Sequence, residues 1–399
     1  MKKILRKMSR IGLELFFLLL VGGLCLAVTG PAIGAEKMIK IGSCPDLSGP
    51  TAETGKPFSI GLRGYFDYIN KKGGINGRKV EYLETDGSYD IPKETAAYKR
   101  YTMEKVAVFI GYSGGGQMQI SQMSAKDKIV GFGASLAEIF ADTARAPYHF
   151  IHCASYDQVW RGLIDYQIDK NPGKKLRVAL VYPDNAYGHQ NVDMIRKRCK
   201  EKGLGIVDEE IVGFKDIDAT TQMLKMKTAN PDVVLMPEIE PSTTVIMRDA
   251  KKVGIDTKKV QFCVPLQGMG ITIIKLGGKD IEDVIGGTPF SDWSEKDLPG
   301  VKIIREFFAG KVPELPWIMH GWAAGLVASE GIRRLGDKKI TGENLKQVLE
   351  SMKDFGTGGI TAPITFTPDN HIGGRGVKLM KPNIQKGYFE PITGWIYPK

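Results

Sequence analysis

IKIGSCPDLSGPTAETGKPFSIGLRGYFDYINKKGGINGRKVEYLETDG, residues Ile39–Gly87, decides the fold. The apolar run Ile39–Cys44 reads as a strand. A loop of Gly, Pro, Ser and Thr follows, then an amphipathic helix over Ser59–Lys71, a glycine turn and a second strand over Lys79–Thr85. A small-residue loop that leaves a strand where a helix begins is where an α/β protein holds a small ligand.

Upstream of this block, residues 1–35 read as a removable export signal. MKKILRKMSR is basic, and Leu15–Val28 is uncharged and mostly apolar. That run is short of the roughly 20 apolar residues a membrane-spanning helix needs. The small residues of PAIGA place cleavage after Gly34 or Ala35. A retained anchor is the alternative. Lipid attachment at Cys25 is disfavoured by the large Leu24 before it, and no adjacent arginine pair supports twin-arginine export. Nothing later matches a spanning segment, so a soluble periplasmic protein is expected.

The formal charge of the whole chain is +10. The leader holds Lys2, Lys3, Arg6, Lys7 and Arg10 against Glu14, which leaves +6 after cleavage. These charges are dispersed, with no basic stripe interleaved with aromatics, so nucleic acid is excluded as a partner. The 364 residues after Ala35 exceed one ordinary core and predict two domains. Cys44, Cys153, Cys199 and Cys263 are widely spaced without a CxxC. In an oxidising compartment they are open to a disulfide of unspecified pairing, or act as small buried hydrophobes.

Onward from Gly87 the strand–helix alternation continues. Helices are predicted at Lys93–Glu104 and Gln117–Lys128, and strands at Val106–Ile110 and Ile129–Gly133. The rhythm restarts with helix Tyr156–Asp169 and strand Arg177–Tyr182, and runs to a strand at Val260–Val264. This is α/β architecture, two doubly wound parallel-sheet lobes. After a strand at Val284–Thr288 come helices Val301–Ala309, Trp317–Leu335 and Gly342–Met352, then a short β stretch at Ile360–Phe366. Helices without their own sheet must cover an existing one. The chain is therefore expected to return to lobe one and cross back, giving lobe one as 36–153 plus 288–363 and lobe two as 154–287 plus 364–399. Three crossings would form a three-strand hinge.

The sequence resembles the type I periplasmic binding proteins, specifically the solute receptors of branched-chain amino acid (leucine/isoleucine/valine) ABC importers. LSGPTAETG (Leu47–Gly55) resembles the family's first ligand loop, and KKGGINGRKVEYLETDG (Lys71–Gly87) its helix-to-strand signature. FIGYSGGG (Phe109–Gly116) occupies the place of its anion loop, GASLAEI (Gly133–Ile139) that of its small-residue motif, and VYPDNAYG (Val181–Gly188) that of its second-lobe Tyr-Gly. The likeness covers roughly Met38 to Phe366. It implies the type I fold, a small-molecule ligand and a membrane permease as partners, and no cofactor.

The candidate ligand-binding residues follow. Ser113 and Gly114 open a helix after a strand, where free N–H groups and the positive dipole end suit a carboxylate; a packing turn is the other reading. The loop lacks GK[ST] and GxGxxG, so it is no phosphate loop. By the resemblance, Ser135, with Gly133 and Ala134 beside it, would hold a carboxylate; capping the next turn is compatible with that. Tyr187 would close from lobe two, or else lies in a surface turn. Thr54 leaves room where relatives often carry an aromatic, and Gln267 follows the strand that usually supplies an acidic residue for an ammonium. That acidic position is Leu266 here. Either Glu238 or Glu240 substitutes, or the ligand has no ammonium; both glutamates also read as charges favourable to the start of the next helix.

His149, His152, His189, His320 and His371 are scattered and predict no metal site, and Trp317, His320 and Trp322 read as helix core. Neither GxSxG nor a Cys–His pair appears, so no catalytic residue is expected. The expectation is a monomeric receptor that delivers a small carboxylate or amide to an ABC importer by lobe closure. A periplasmic ligand sensor is the first alternative, and a secreted two-lobe enzyme the second.

Overall fold

The computed structural model describes residues 38–399. The leader and Cys25 lie outside them. Two sheets organise the chain.

The first sheet has strands β1 (Ile39–Ser43), β2 (Val80–Glu84), β3 (Val108–Gly111) and β4 (Val130–Gly133), in the order β2-β1-β3-β4 and all parallel. β3 and β4 are buried at every position, as expected of strands covered on both faces. Helices α1 (Ala52–Lys71), α2 (Ile91–Met103) and α3 (Gly114–Asp127) connect them. α1 begins seven residues before the sequence expectation, because Pro57 sits inside it instead of ahead of it. The carbonyl deprived of its i+4 partner there belongs to Glu53, an exposed residue.

The second sheet runs β11-β10-β9-β8-β7-β5-β6. Its parallel part is β5 (Arg177–Tyr182), β6 (Gly205–Ile211), β7 (Val233–Leu235), β8 (Gln261–Pro265) and β9 (Ile285–Thr288). Helices α4 (Tyr156–Lys170), α5 (Ala186–Glu201), α6 (Thr220–Ala229), α7 (Glu240–Lys252) and a short α8 (Ile271–Gly277) connect its elements. The expected all-parallel sheet gains an antiparallel edge: β10 (Lys378–Asn383) pairs with β9, and β11 (Tyr388–Pro391) with β10. Lys378 fixes that edge, its ammonium reaching Ser291 Oγ at 2.9 Å and the Glu295 carboxylate.

Helices α9 (Pro299–Phe308), α10 (Pro316–Arg334) and α11 (Gly342–Glu350) cover the first sheet, with α10 laid along α1. Glycines permit the close approach. A Cβ on Gly61 would strike the Ile318 carbonyl, and one on Gly321 the Phe58 carbonyl. Ile360–Phe366 is not a strand. It holds one bridge, Phe355 to Ile364, and the chain next touches Ile151 at Ile372 before entering β10. Among the described residues no helix is long and apolar enough to cross a membrane.

Candidate functional site

At the carboxyl ends of both sheets the connecting loops meet around a small cavity. The first loop is shaped by two aspartates. Asp46 accepts from the N–H groups of Gly49 (2.5 Å) and Thr51 (2.8 Å) and from Thr51 Oγ1 (2.7 Å). Asp86 accepts from Leu47 N–H at 2.8 Å, Ser88 N–H at 2.9 Å and Ser48 Oγ at 2.5 Å. Thr51 and Thr54 are thereby placed on the cavity wall. The Thr54 hydroxyl is committed to the protein, donating to Thr51 O at 2.9 Å and pairing with Tyr112 OH at 2.6 Å.

The anion-loop candidate lies beside it. Ser113 caps α3, its Oγ accepting Gly116 N–H at 2.9 Å. The N–H groups of Gly114 and Gly115 precede the first intrahelical bond, from Gln117 to Ser113 O, and so lack an intrahelical partner. None of Gly114, Gly115 or Gly116 has a positive φ. They are glycines because of crowding: a Cβ on Gly116 would strike Glu94 Oε2, one on Gly115 would lie 2.5 Å from Ile91 Cδ1, and one on Gly114 3.0 Å from Gln190 Oε1. Glu94 sits behind this loop and accepts Ser113 N–H at 3.2 Å. Burial pushes its carboxyl up to about 7.

Ala134 and Ser135 complete this wall. Their amides are already engaged, Ala134 N–H on Gly111 O (3.1 Å) and Ser135 N–H on Gln117 Oε1 (2.9 Å). The Ser135 hydroxyl lies near Tyr156 OH without a well-directed hydrogen bond. Gly133 stands behind the wall, where a Cβ would strike the Gln117 amide.

The second sheet contributes Tyr187, Phe214, Ile239 and Gln267. Asn185 caps α5 by accepting Gly188 N–H at 2.9 Å, and this places Tyr187 in the first turn. Tyr187 OH is buried without a partner. Gln267 donates to Tyr156 OH at 2.9 Å, which leaves its Oε1 unpartnered. Glu238 and Glu240 are buried but do not reach the cavity; the residue between them, Ile239, does. Glu238 accepts from Ser242 Oγ at 2.6 Å. Glu240 accepts the N–H groups of Thr272 (3.0 Å) and Ile273 (3.2 Å) at the start of α8. Burial raises Glu238 well above the usual carboxyl range and Glu240 to about 7.

Sequence reasoning missed Tyr89, Tyr112, Tyr156 and Phe214, and placed Trp317 in the core, whereas it also lines the cavity. The one signal was the DGSYD turn, where Ser88 (φ 48°) and Tyr89 (φ 56°) are consecutive left-handed residues. Both polar side-chain atoms of half-buried Gln190, close to Gly114, are themselves buried and lack partners. The tyrosine hydroxyls of the wall are pushed up by burial and remain neutral donors. The cavity volume is about 30 Å3, room for about two water molecules. The walls must therefore part for any solute to enter. Among the described residues no group of three or more His, Cys, Asp or Glu could hold a metal.

Two α/β sheets whose loops jointly wall a buried polar and aromatic cavity define a solute-binding protein of the type I periplasmic fold. Residues 38–387 match the periplasmic binding protein family model, and the chain belongs to that family, whose members bind ligands outside the cytoplasm. A curated relative from Brucella abortus, a Leu/Ile/Val-binding protein homolog 7, is 27% identical over 238 residues, 57% of this chain and 59% of that protein. The match thus spans less than two-thirds of that relative. A branched-chain amino acid ABC transporter structure from Thermus thermophilus with bound valine superposes with a TM-score of 0.84 at 24% identity, covering 91% of this chain and 97% of its own. A fatty acid ABC transporter substrate-binding protein from Thermomonospora curvata gives 0.80 at 19% identity, covering 90% and 92%. Both likenesses concern the fold.

Proposed function

We propose that the protein is a periplasmic receptor that captures a small carboxylate-bearing solute and hands it to the permease of an ABC importer. It acts as a monomer and is exported by residues 1–35. Lobe one is 36–153 with 288–363, and lobe two is 154–287 with 364–399. The observation that carries the reading is a cavity walled from both sheets with buried, unpartnered polar atoms on Ser135, Tyr187 and Gln267. Unpartnered buried polar groups are costly, on the order of 1–3 kcal/mol each, unless something supplies the missing bonds. A solute does so.

The Ser135 hydroxyl and the free Gly114 N–H at the positive end of α3 take the carboxylate. Tyr187 and Gln267 meet the solute from lobe two as the lobes close. Closure expels water, strengthens these bonds and creates the joined surface a permease reads. No nucleophile or acid–base pair is needed for this role.

A thermal-shift panel of amino acids, aromatic acids, short carboxylates and amides tests the proposal. One chemical class should raise the melting temperature in proportion to the logarithm of its concentration. If no small solute raises it, the receptor reading fails.

A further inference from the structure

We infer that the solute is an aromatic acid without an ammonium group, gripped by ring faces and not by opposite charge. The inference rests on the receptor reading of the same cavity and narrows it.

Five rings form a continuous belt through the site. Tyr112 lies 6.4 Å from Tyr89, Tyr89 6.4 Å from Phe214, Phe214 6.0 Å from Tyr187, and Tyr187 5.9 Å from Tyr156, centroid to centroid. Three of these contacts are edge-to-face. The belt draws on loops of both sheets, so closure assembles it. Trp317 joins the wall, backed by His320 at 5.1 Å in a stacked pair.

The backbone is strained to build this belt. Tyr89 has φ 56° and Ser88 φ 48°, a region that costs a bulky side chain about 1 kcal/mol or more. The turn persists because Asp86 holds Ser88 N–H and Gly87 O holds Asp90 N–H, both within 2.9 Å. What the strain achieves is the placement of the Tyr89 ring between Tyr112 and Phe214.

Charge is absent from the lining. No Asp, Glu, Lys, Arg or His lines the cavity; Glu240 holds the start of α8, and Glu238, bonded through one oxygen to Ser242 with the other unpartnered, stands behind the wall. An ammonium would meet the neutral acceptor Gln267 Oε1 but no counter-charge in the lining, so its desolvation, on the order of several kcal/mol, is only partly offset. A quaternary ammonium could use the rings through cation–π attraction. It has no N–H or O–H to give, so it would still leave Gln267 Oε1 without a donor. A ring hydroxyl supplies Gln267 with the donor it lacks, while the carboxylate meets Ser135.

The test is calorimetric titration of the full mature protein, stripped of bound solute by unfolding and refolding. The probes are 4-hydroxybenzoate, benzoate, cyclohexanecarboxylate, leucine and glycine betaine. Aromatic acids should bind about tenfold tighter than the saturated ring, the worth of favourable ring–ring contact. Phe214→Leu should shrink that preference to about threefold or less, with the variant's circular dichroism unchanged. Leucine, betaine or cyclohexanecarboxylate as the tightest probe overturns the inference and leaves the receptor reading standing. Equal affinity for benzoate and cyclohexanecarboxylate overturns it too. If neither these probes nor the wider thermal-shift panel binds, both readings fall.

Discussion

Gln117 clasps Ser135 at two points: Ser135 N–H donates to Gln117 Oε1 at 2.9 Å, and Gln117 Nε2 donates to Ser135 O at 3.3 Å. The side-chain amide of α3 thus takes over the backbone of the loop after β4. With its backbone satisfied, Ser135 keeps only its hydroxyl for other work. Gln117→Leu removes both bonds and leaves buried groups unpaired. We expect a loss of about 2–3 kcal/mol in denaturant melts, together with weaker solute binding by calorimetry. A variant that binds as well as the parent would show that the clasp does not position Ser135.

Ser135→Ala separates binding from folding. The hydroxyl makes no well-directed bond within the protein, so its removal should leave the melting temperature of the unliganded protein within about 1 °C or raise it. Carboxylate affinity should fall by about 1–2 kcal/mol, a factor of roughly 5 to 30. Unchanged affinity would remove Ser135 from the site.

Glu240 gives the converse result. Its carboxyl holds the first N–H groups of α8 and does not face the cavity. Glu240→Leu should destabilise the fold by about 1–3 kcal/mol through those orphaned donors. Folded Glu240→Leu should keep the parent's affinity to within about twofold, since no interaction with solute is lost. A large loss of affinity in folded material would return Glu240 to the site.

Gly321→Ala should be among the most damaging conservative changes. The added methyl falls on the Phe58 carbonyl, where α10 and α1 touch backbone to backbone. Overpacking of this kind costs about 1–3 kcal/mol. Gly203→Ala is a useful contrast. Nothing lies near its would-be methyl, so the cost there comes only from its φ of 66°.

Acid stability carries a sign that can be worked out. Burial holds His149 and His152 down at about 3, against an ordinary value of 6.5. The stability they contribute is complete above 6.5 and is lost as pH falls from there toward 3. Burial pushes Glu94 and Glu240 up to about 7, from an ordinary 4.5. Their contribution is complete below 4.5 and lost as pH rises through 7. These two pairs oppose each other between about 4.5 and 6.5, and below that the loss from the histidines, to which buried His320 adds in the same direction, continues without opposition from Glu94 and Glu240. Urea midpoints should change little from pH 6 to pH 5 and drop by pH 4. His152→Gln should soften the drop. An equally steep drop in that variant would exclude His152 as a cause.

The alternation of strand and helix was legible because each element carries its own period and punctuation. Arg177–Tyr182 was read to the residue, since a buried strand is an unbroken apolar run. The C-terminal β10–β11 edge was not legible. Its segments, KLMKPN and YFEP, mix charge and proline, and the strand is made by pairing with β9. At the cavity, Ser113 and Gly114, expected from the composition of their loop, and Ala134, Ser135, Tyr187, Thr54 and Gln267, expected from the family resemblance, all lie on the wall. Glu238, Glu240 and Gly133 do not. One-dimensional order shows that a glutamate follows a strand, but not that Ile239 turns inward while its neighbours turn away. Tyr89 and Phe214 are 125 positions apart, and only the meeting of two sheets' loops makes them neighbours.

The four cysteines of the described residues are all free and all buried. Burial pushes the thiols of Cys44 up to about 12 and Cys199 to about 11, so they stay protonated and slow to oxidise. The described native state therefore holds no covalent cross-link. A reductant should leave its melting temperature unchanged, since there is no disulfide for it to cut.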